Sequence, residues 1–297
     1  MSTSSARRDR GAATIVGTLI VAGLALGASS AQTAGSTWQR GMAWQTDLQK
    51  ALADARVERR AVLLDFWADW CAPCKAMDAD FWSRRDVAER SRRLICVRVD
   101  YDQRRSLAMQ YDVRAIPAVV ILDPWQNPIA SMVGFGDTSR LELLLKQIPA
   151  DFSDAAPWMA ALEEDKKDLS ALRGLGEFYY RHKFFTVSTH YFERALKSSA
   201  AKKDARARGD VQVALGWNHI NTNENKRARE QFTQALQVPD LDRADVALFG
   251  LVVANLGLGK QADAEKALAE LTSRFPDSPA AAEARERFAA AGTGGHR

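Results

Sequence analysis

The chain has 297 residues, of which 46% are hydrophobic, and its formal net charge is +4. This length allows about two domains, and the composition is that of a globular protein. Beyond the N-terminus the basic residues are interspersed with Asp and Glu, so we expect no nucleic-acid partner.

The N-terminal segment has the layout of a secretory signal peptide. A basic stretch ends at Arg10, an uncharged apolar stretch runs over residues 12–28, and small residues occupy the cleavage positions at 29–31. We therefore predict a signal peptide over residues 1–31 and export of the protein, to the periplasm in a bacterium. The alternative is an uncleaved N-terminal anchor, although the apolar stretch is short beside the ~20 residues of a membrane span. Only this alternative predicts contact with a membrane.

Strands and helices alternate over residues 36–150. Apolar residues recur at helical spacing from Trp44 to Arg59, and a buried-looking strand follows. The predicted strands are 61–67, 94–99, 116–122 and 129–134, and the later helices run through 75–78, 86–92, 103–111 and 140–148. The last two strands are separated by a proline-rich turn. This order predicts a mixed α/β domain that closes with a hairpin.

Residues 155–291 are rich in Ala, Leu and charged residues at helical period. Small and large side chains recur at offsets of about 36–40 residues, which resembles tetratricopeptide (TPR) repeats. The recurring positions are Gly176, Phe192 and Ala195, then Gly216, Phe232 and Ala235, then Ala264, Leu268 and Leu271. A helix near the end would cap the repeats, and residues 292–297 are predicted to be a flexible tail. The alternative is a helical bundle without repeats.

The three cysteines are too few, and odd in number, for a disulfide-stapled scaffold. Cys71 and Cys74 lie three positions apart directly after a predicted strand, where they can form a small-ring disulfide or a dithiol. This spacing indicates thiol–disulfide exchange. Cys96 lies in an apolar strand-like run and is predicted to be a buried small side chain. A structural zinc site normally needs four ligands, so we expect no metal and no cofactor besides the redox-active cysteine pair.

The position of the two cysteines assigns their roles. A thiolate is the attacking species, and a free thiol with a pKa of about 8.5 is mostly protonated near neutral pH. At a helix N-terminus, unpaired backbone N–H groups favour the anion of Cys71, and Pro73 suits the first turn. We predict that Cys71 is the accessible nucleophile. Cys74 would lie one turn deeper, face the protein, and resolve the mixed disulfide.

Two stretches carry a family resemblance. Residues 65–75 resemble the active-site stretch of thioredoxins, and residues 113–117 resemble their cis-proline loop. Within this similarity, residues 68–71 and the long connection up to the second strand are closer to the C-terminal thioredoxin-like domain of the reductant carrier DsbD. The resemblance covers residues 44–148 and implies a thioredoxin fold, a mixed sheet with helices on both faces.

The resemblance also implies roles for further residues. Asp65 would be a buried carboxylate that helps to move the proton of Cys74, and Trp70 would shield the sulfur atoms. Pro117 would follow a cis peptide bond, so that the backbone of Ile116 lies beside the nucleophile and holds an extended substrate chain. From the residues alone, Asp65 is equally well interpreted as a satisfied acid at a strand end.

These features predict an exported thiol–disulfide oxidoreductase. The Ala-Pro dipeptide between the cysteines and Ile116 before Pro117 are closer to reducing thioredoxins than to strong oxidants, which favours a reductase of disulfide-containing client proteins. The sequence has no nicotinamide or flavin motif, so electrons would come from an upstream protein donor. The repeats would select a protein partner. The alternative is a non-catalytic TPR interaction or chaperone-like scaffold that carries a thioredoxin-like domain.

Overall fold

The structure is a computed structural model that describes residues 41–136 and 138–293. The signal peptide predicted at 1–31 lies outside these residues, as does the predicted tail beyond residue 293. None of the helices in the described ranges is long and apolar enough to cross a membrane. The described chain consists of an α/β part, residues 44–147, and a helical part, residues 156–293.

The α/β part contains five strands and five helices among its described residues. In chain order these are β1 (Trp44–Gln45), α1 (Leu48–Glu58), β2 (Val62–Trp67), α2 (Ala72–Met77), α3 (Arg85–Ser91), β3 (Ile95–Asp100), α4 (Arg105–Gln110), β4 (Ala118–Leu122), β5 (Pro128–Val133) and α5 (Thr138–Gln147). A π-helical turn, Asp78–Trp82, continues α2. The predicted start of the first helix at Trp44 is wrong. That residue opens β1, and the helix begins at Leu48 because the Asp47 side chain accepts the N–H of Lys50 and caps it.

The strands form one sheet in the order β1-β3-β2-β4-β5. The central strand β2 is parallel to β3 and antiparallel to β4, and β4 and β5 form the predicted hairpin. Both faces of β2 are covered. Leu63 belongs to a buried cluster with the π-helical turn and α5, whereas Leu64 and Phe66 belong to a second cluster with α1. This mixed, two-sided sheet is the architecture that the alternation of elements predicted.

The sheet brings two distant stretches to one edge. Cys71 follows the C-terminal end of β2, and Pro117 immediately precedes β4. Because β2 and β4 are antiparallel and Phe66 pairs with Ala118, the end of β2 and the start of β4 lie side by side. The backbone therefore places the cysteine pair and the proline at the same edge of the sheet.

The helical part consists of helices in sequence-adjacent pairs. Its elements are α6 (Ala156–Glu164), α7 (Leu169–Arg181), α8 (Phe185–Lys197), α9 (Ser199–Lys203), α10 (Ala205–Asn221), α11 (Asn225–Ala235), α12 (Ala244–Gly257), α13 (Gln261–Arg274) and α14 (Pro279–Thr293). One contact recurs. Gly176 of α7 lies against the ring of Phe192 in α8, and Gly216 of α10 lies against that of Phe232 in α11. A Cβ at either glycine would be 2.5 Å from the ring. This recurrence is consistent with helical repeats.

The two parts share one buried core, in which residues of the sheet and of α7, α8 and α10 form a single hydrophobic cluster. Phe152, in the connection between the parts, is fully buried and donates its N–H to the carbonyl of Arg59 at 2.9 Å. The hydroxyl of Tyr179 in α7 donates to Asp123 Oδ2 at 2.7 Å. Asp123 follows the C-terminal end of β4, so this contact is at the edge of the sheet opposite Cys71.

Candidate active site

Cys71 and Cys74 form a disulfide bond at the start of α2. Cys71 is the N-cap residue of the helix, and its Sγ accepts the backbone N–H of Cys74 at 3.1 Å. Pro73 occupies the first helical turn, where a missing N–H costs no hydrogen bond. The predicted helix entry is confirmed, and the sulfur of Cys71 is the one that receives a backbone donor.

In the disulfide form the two cysteines do not differ in exposure. Both residues are only 2% exposed. They form a small apolar cluster with Ala68, and the side chains of Trp67 and Ile116 pack against it. Position, rather than exposure, distinguishes the two cysteines, because Cys71 caps the helix and Cys74 lies within its first turn.

The other predicted binding residues lie at the same edge of the sheet. The peptide bond between Ile116 and Pro117 is cis, as predicted. Trp70 directly precedes Cys71, is 65% exposed, and donates its indole N–H to Asp102 Oδ2 at 2.6 Å. This hydrogen bond fixes a large exposed apolar side chain next to the disulfide.

Asp65 lies on β2, is 2% exposed, and is bordered by a cation. Arg98, its register partner on β3, places Nε 3.1 Å from Asp65 Oδ2. The same guanidinium donates through Nη2 to both carboxylate oxygens of Asp78, at 2.8 and 2.7 Å. Its central carbon lies 5.2 Å from the ring centroid of Trp44 and 4.7 Å from that of Trp67. One arginine therefore joins the buried acid to the first residue of the π-helical turn.

Burial raises the pKa of Asp65 to about 7, and its charged neighbours modify this effect. The positive charge of Arg98 opposes the rise, whereas the negative charge of Asp78 adds to it. A carboxyl group with this pKa both binds and releases a proton near neutral pH, which is the property that a general acid or base requires.

Cys96 has a different environment from the disulfide. It is 4% exposed, as predicted, and burial raises the pKa of its thiol to about 12. It therefore remains protonated and inert over the physiological range. The described ranges contain no group of three or more His, Cys, Asp or Glu side chains that could hold a metal ion.

Comparisons with known proteins place the α/β part in a family. A family model described as thioredoxin-like matches residues 43–124. The thioredoxin of Staphylococcus aureus is 31% identical over 99 residues, which is 31% of this chain and 86% of that protein. The chain belongs to the thioredoxin-like family.

Among solved structures, the thioredoxin-like domain is similar to a thioredoxin from Thermus thermophilus. The identity is 24%, the TM-score is 0.34, and the match covers 36% of this chain and 86% of that one. A structure described as DsbH oxidoreductase has 21% identity and a TM-score of 0.32, and it covers 36% of this chain and 85% of its own. The family match and the order of the strands and helices show a thioredoxin fold followed by a predominantly helical C-terminal part, as predicted.

Three residues of this site were not predicted from the sequence. Arg98 contacts Asp65, Asp78 binds the same guanidinium, and Asp102 orients Trp70. One signal was available, because Arg98 interrupts an otherwise apolar strand and so required a buried or stacked partner. Asp78 and Asp102 carried no such signal, since each lies among other charged residues.

Proposed function

We propose that this protein is an exported thiol–disulfide oxidoreductase that reduces disulfides of client proteins through Cys71 and Cys74. The observation that carries the proposal is the disulfide at the N-terminus of α2, which lies at the same sheet edge as the Ile116–Pro117 bond. The thioredoxin-like family and the buried Asp65 support the same chemistry.

The reaction begins from the reduced dithiol. The Cys71 thiolate attacks one sulfur of the client disulfide, forms a mixed disulfide, and releases the other client sulfur as a thiolate that takes up a proton. The Cys74 thiol then gives its proton to the Asp65 carboxylate and attacks the Cys71 sulfur. This step forms the Cys71–Cys74 disulfide and expels the second client thiolate, which is protonated in turn. Two electrons thus pass from the cysteine pair to the client.

The residues around the disulfide bind and orient the client. Trp70 offers an exposed aromatic surface held by Asp102, and Ile116 packs beside the cysteines. The backbone before Pro117 would pair with an extended client segment. Because both cysteines are nearly buried, we expect the client to approach along this rim.

Reduction requires a renewable source of electrons. A protein dithiol of lower reduction potential would attack the Cys71–Cys74 disulfide and restore the reduced pair. The similarity of residues 68–71 to the DsbD C-terminal domain favours the reducing direction and a periplasmic location. The sequence pattern of residues 1–31 favours export, by a cleaved signal or an N-terminal anchor.

The helical part would bind a protein partner or client as TPR-like repeats do. The glycine–phenylalanine contact shared by two of its helix pairs supports repeat architecture. Its hydrogen bond to the thioredoxin-like domain, from Tyr179 to Asp123, lies at the sheet edge away from Cys71. A partner bound to the helices would therefore be held next to the domain that carries the disulfide.

Reduction of insulin by dithiothreitol tests the proposal, using wild type, Cys71→Ser, Cys74→Ser and Cys96→Ala. We expect wild type and Cys96→Ala to accelerate the reaction equally, and Cys71→Ser to abolish the acceleration. Cys74→Ser should instead accumulate a mixed disulfide with insulin, visible on a non-reducing gel, because the resolving thiol is missing. Equal rates for wild type and Cys71→Ser would contradict the proposal and favour a non-catalytic scaffold.

A further inference from the structure

Arg98 does not share its hydrogen bonds equally between Asp78 and Asp65. Its Nη2 makes two good hydrogen bonds to the oxygens of Asp78. Its Nε is buried and lies 3.1 Å from Asp65 Oδ2, but its N–H is poorly aligned with that oxygen, which makes this the weaker contact. Asp78 therefore holds the well-aligned hydrogen bonds of this guanidinium, whereas Asp65 receives its charge and one weaker contact from Nε.

The guanidinium has little freedom to change this arrangement. The aromatic rings of Trp44 and Trp67 both lie within 5.2 Å of its central carbon. Cation–π contacts of this kind orient an arginine and partly offset its desolvation. Asp78 is one helical turn beyond Cys74, and its backbone N–H donates to the Cys74 carbonyl. The position of Arg98 is thus tied to the helix that carries the disulfide.

We propose that Asp78 is a positioning residue for proton transfer at the disulfide, because it holds Arg98 away from full pairing with Asp65. The catalytic consequence of this inference rests on the proposed function, whereas the electrostatic effect of Asp78 on Asp65 does not depend on it. A carboxylate in a complete, hydrogen-bonded ion pair stays charged and is a poor proton acceptor. A carboxyl group that is buried and only partly compensated can take the proton of Cys74 and release it again.

The charged and titratable groups that border Asp65 come from two elements besides its own strand. The strand β3 contributes Arg98 and the neutral thiol of Cys96, and the π-helical turn contributes Asp78. Of these, only Asp78 adds negative charge. Removing that charge while leaving Arg98 in place should therefore lower the pKa of Asp65 in two ways. The repulsion from Asp78 disappears, and the guanidinium becomes free to pair with Asp65.

The test is a titration of the Asp65 carboxyl carbon by NMR in the oxidised full chain, assigned by its absence in Asp65→Asn. In Asp78→Asn the midpoint should move to lower pH by about one pH unit, as neighbouring charges typically produce. Asp80→Asn is the matched control, because Asp80 belongs to the same π-helical turn but is exposed. It should titrate as wild type does. A midpoint in Asp78→Asn that is unchanged, or that moves upward, would overturn the proposal.

The pH profile of insulin reduction separates this inference from the proposed function. In Asp78→Asn the limb of the profile that depends on Asp65 should move to lower pH, while Asp80→Asn should follow wild type. An active Asp78→Asn enzyme with an unshifted profile would refute the positioning role and leave the oxidoreductase function standing. If the wild type does not reduce insulin but the NMR midpoint is still lower in Asp78→Asn, the proposed function is refuted and the effect of Asp78 on Asp65 stands.

Discussion

Replacement of Asp65 by asparagine should stabilise the protein, and by more at high pH than at low pH. The folded-state pKa of about 7 lies above the ordinary value of 3.8 because the carboxyl group is buried. Between about pH 4 and pH 7 the folded protein therefore keeps a proton that the unfolded chain has lost, so stability falls as the pH rises. At about 1.4 kcal/mol for each pH unit, the cost above pH 7 reaches about 4 kcal/mol.

Asparagine cannot ionise, so the variant escapes this cost. From the same pKa values, the free energy of unfolding of Asp65→Asn relative to wild type should grow by about 3 kcal/mol between pH 5 and pH 8. Urea unfolding of the oxidised protein at both pH values measures it. Arg98 keeps Asp78 as a partner in the variant. Any contact energy that the substitution removes equally at both pH values therefore cancels when the stability gain at pH 5 is subtracted from that at pH 8. If the free energies of unfolding of wild type and Asp65→Asn change in parallel from pH 5 to pH 8, the reasoning is refuted. Asp80→Asn is the control and should match wild type at both pH values.

Three further substitutions test other contacts. Asp102→Ala removes the acceptor that orients Trp70, and it should raise KM for insulin about fivefold with kcat nearly unchanged, measured in the reduction assay. Tyr179→Phe removes a donor to the buried Asp123 and should lower the free energy of unfolding by about 1–2 kcal/mol in urea. Gly216→Ala places a methyl group 2.5 Å from a phenylalanine ring of α11, and it should destabilise the protein by about 1–3 kcal/mol in thermal unfolding.

The parts of the site that are local in sequence could be predicted from the sequence. A strand that leads into two cysteines three residues apart, with Pro73 in the first turn, determines the helix entry by short-range geometry alone. The cis bond before Pro117 followed from family resemblance. The first helix was placed too early, because the apolar spacing from Trp44 onward fits a helix and the capping role of Asp47 decided its start instead.

The contacts that depend on strand register could not be predicted. Arg98 meets Asp65 only because β2 and β3 are parallel with those two residues opposite each other. Asp78 joins them because the chain beyond α2 continues as a π-helical turn, which no residue pattern indicated. The bond from Tyr179 to Asp123 spans 56 residues and joins two parts of the chain that the sequence analysis treated as separate domains. Long-range pairing of this kind carries no local signal.

The most direct test of the proposed chemistry is the rate of iodoacetamide alkylation at Cys71 in the reduced protein at pH 7. The same thiol in the urea-unfolded chain is the reference, and mass spectrometry separates Cys71 from Cys74 and Cys96. Faster alkylation of Cys71 in the folded protein is the predicted result, because an attacking thiolate must already be formed at neutral pH. A rate equal to or below that of the unfolded chain would contradict its assignment as the nucleophile.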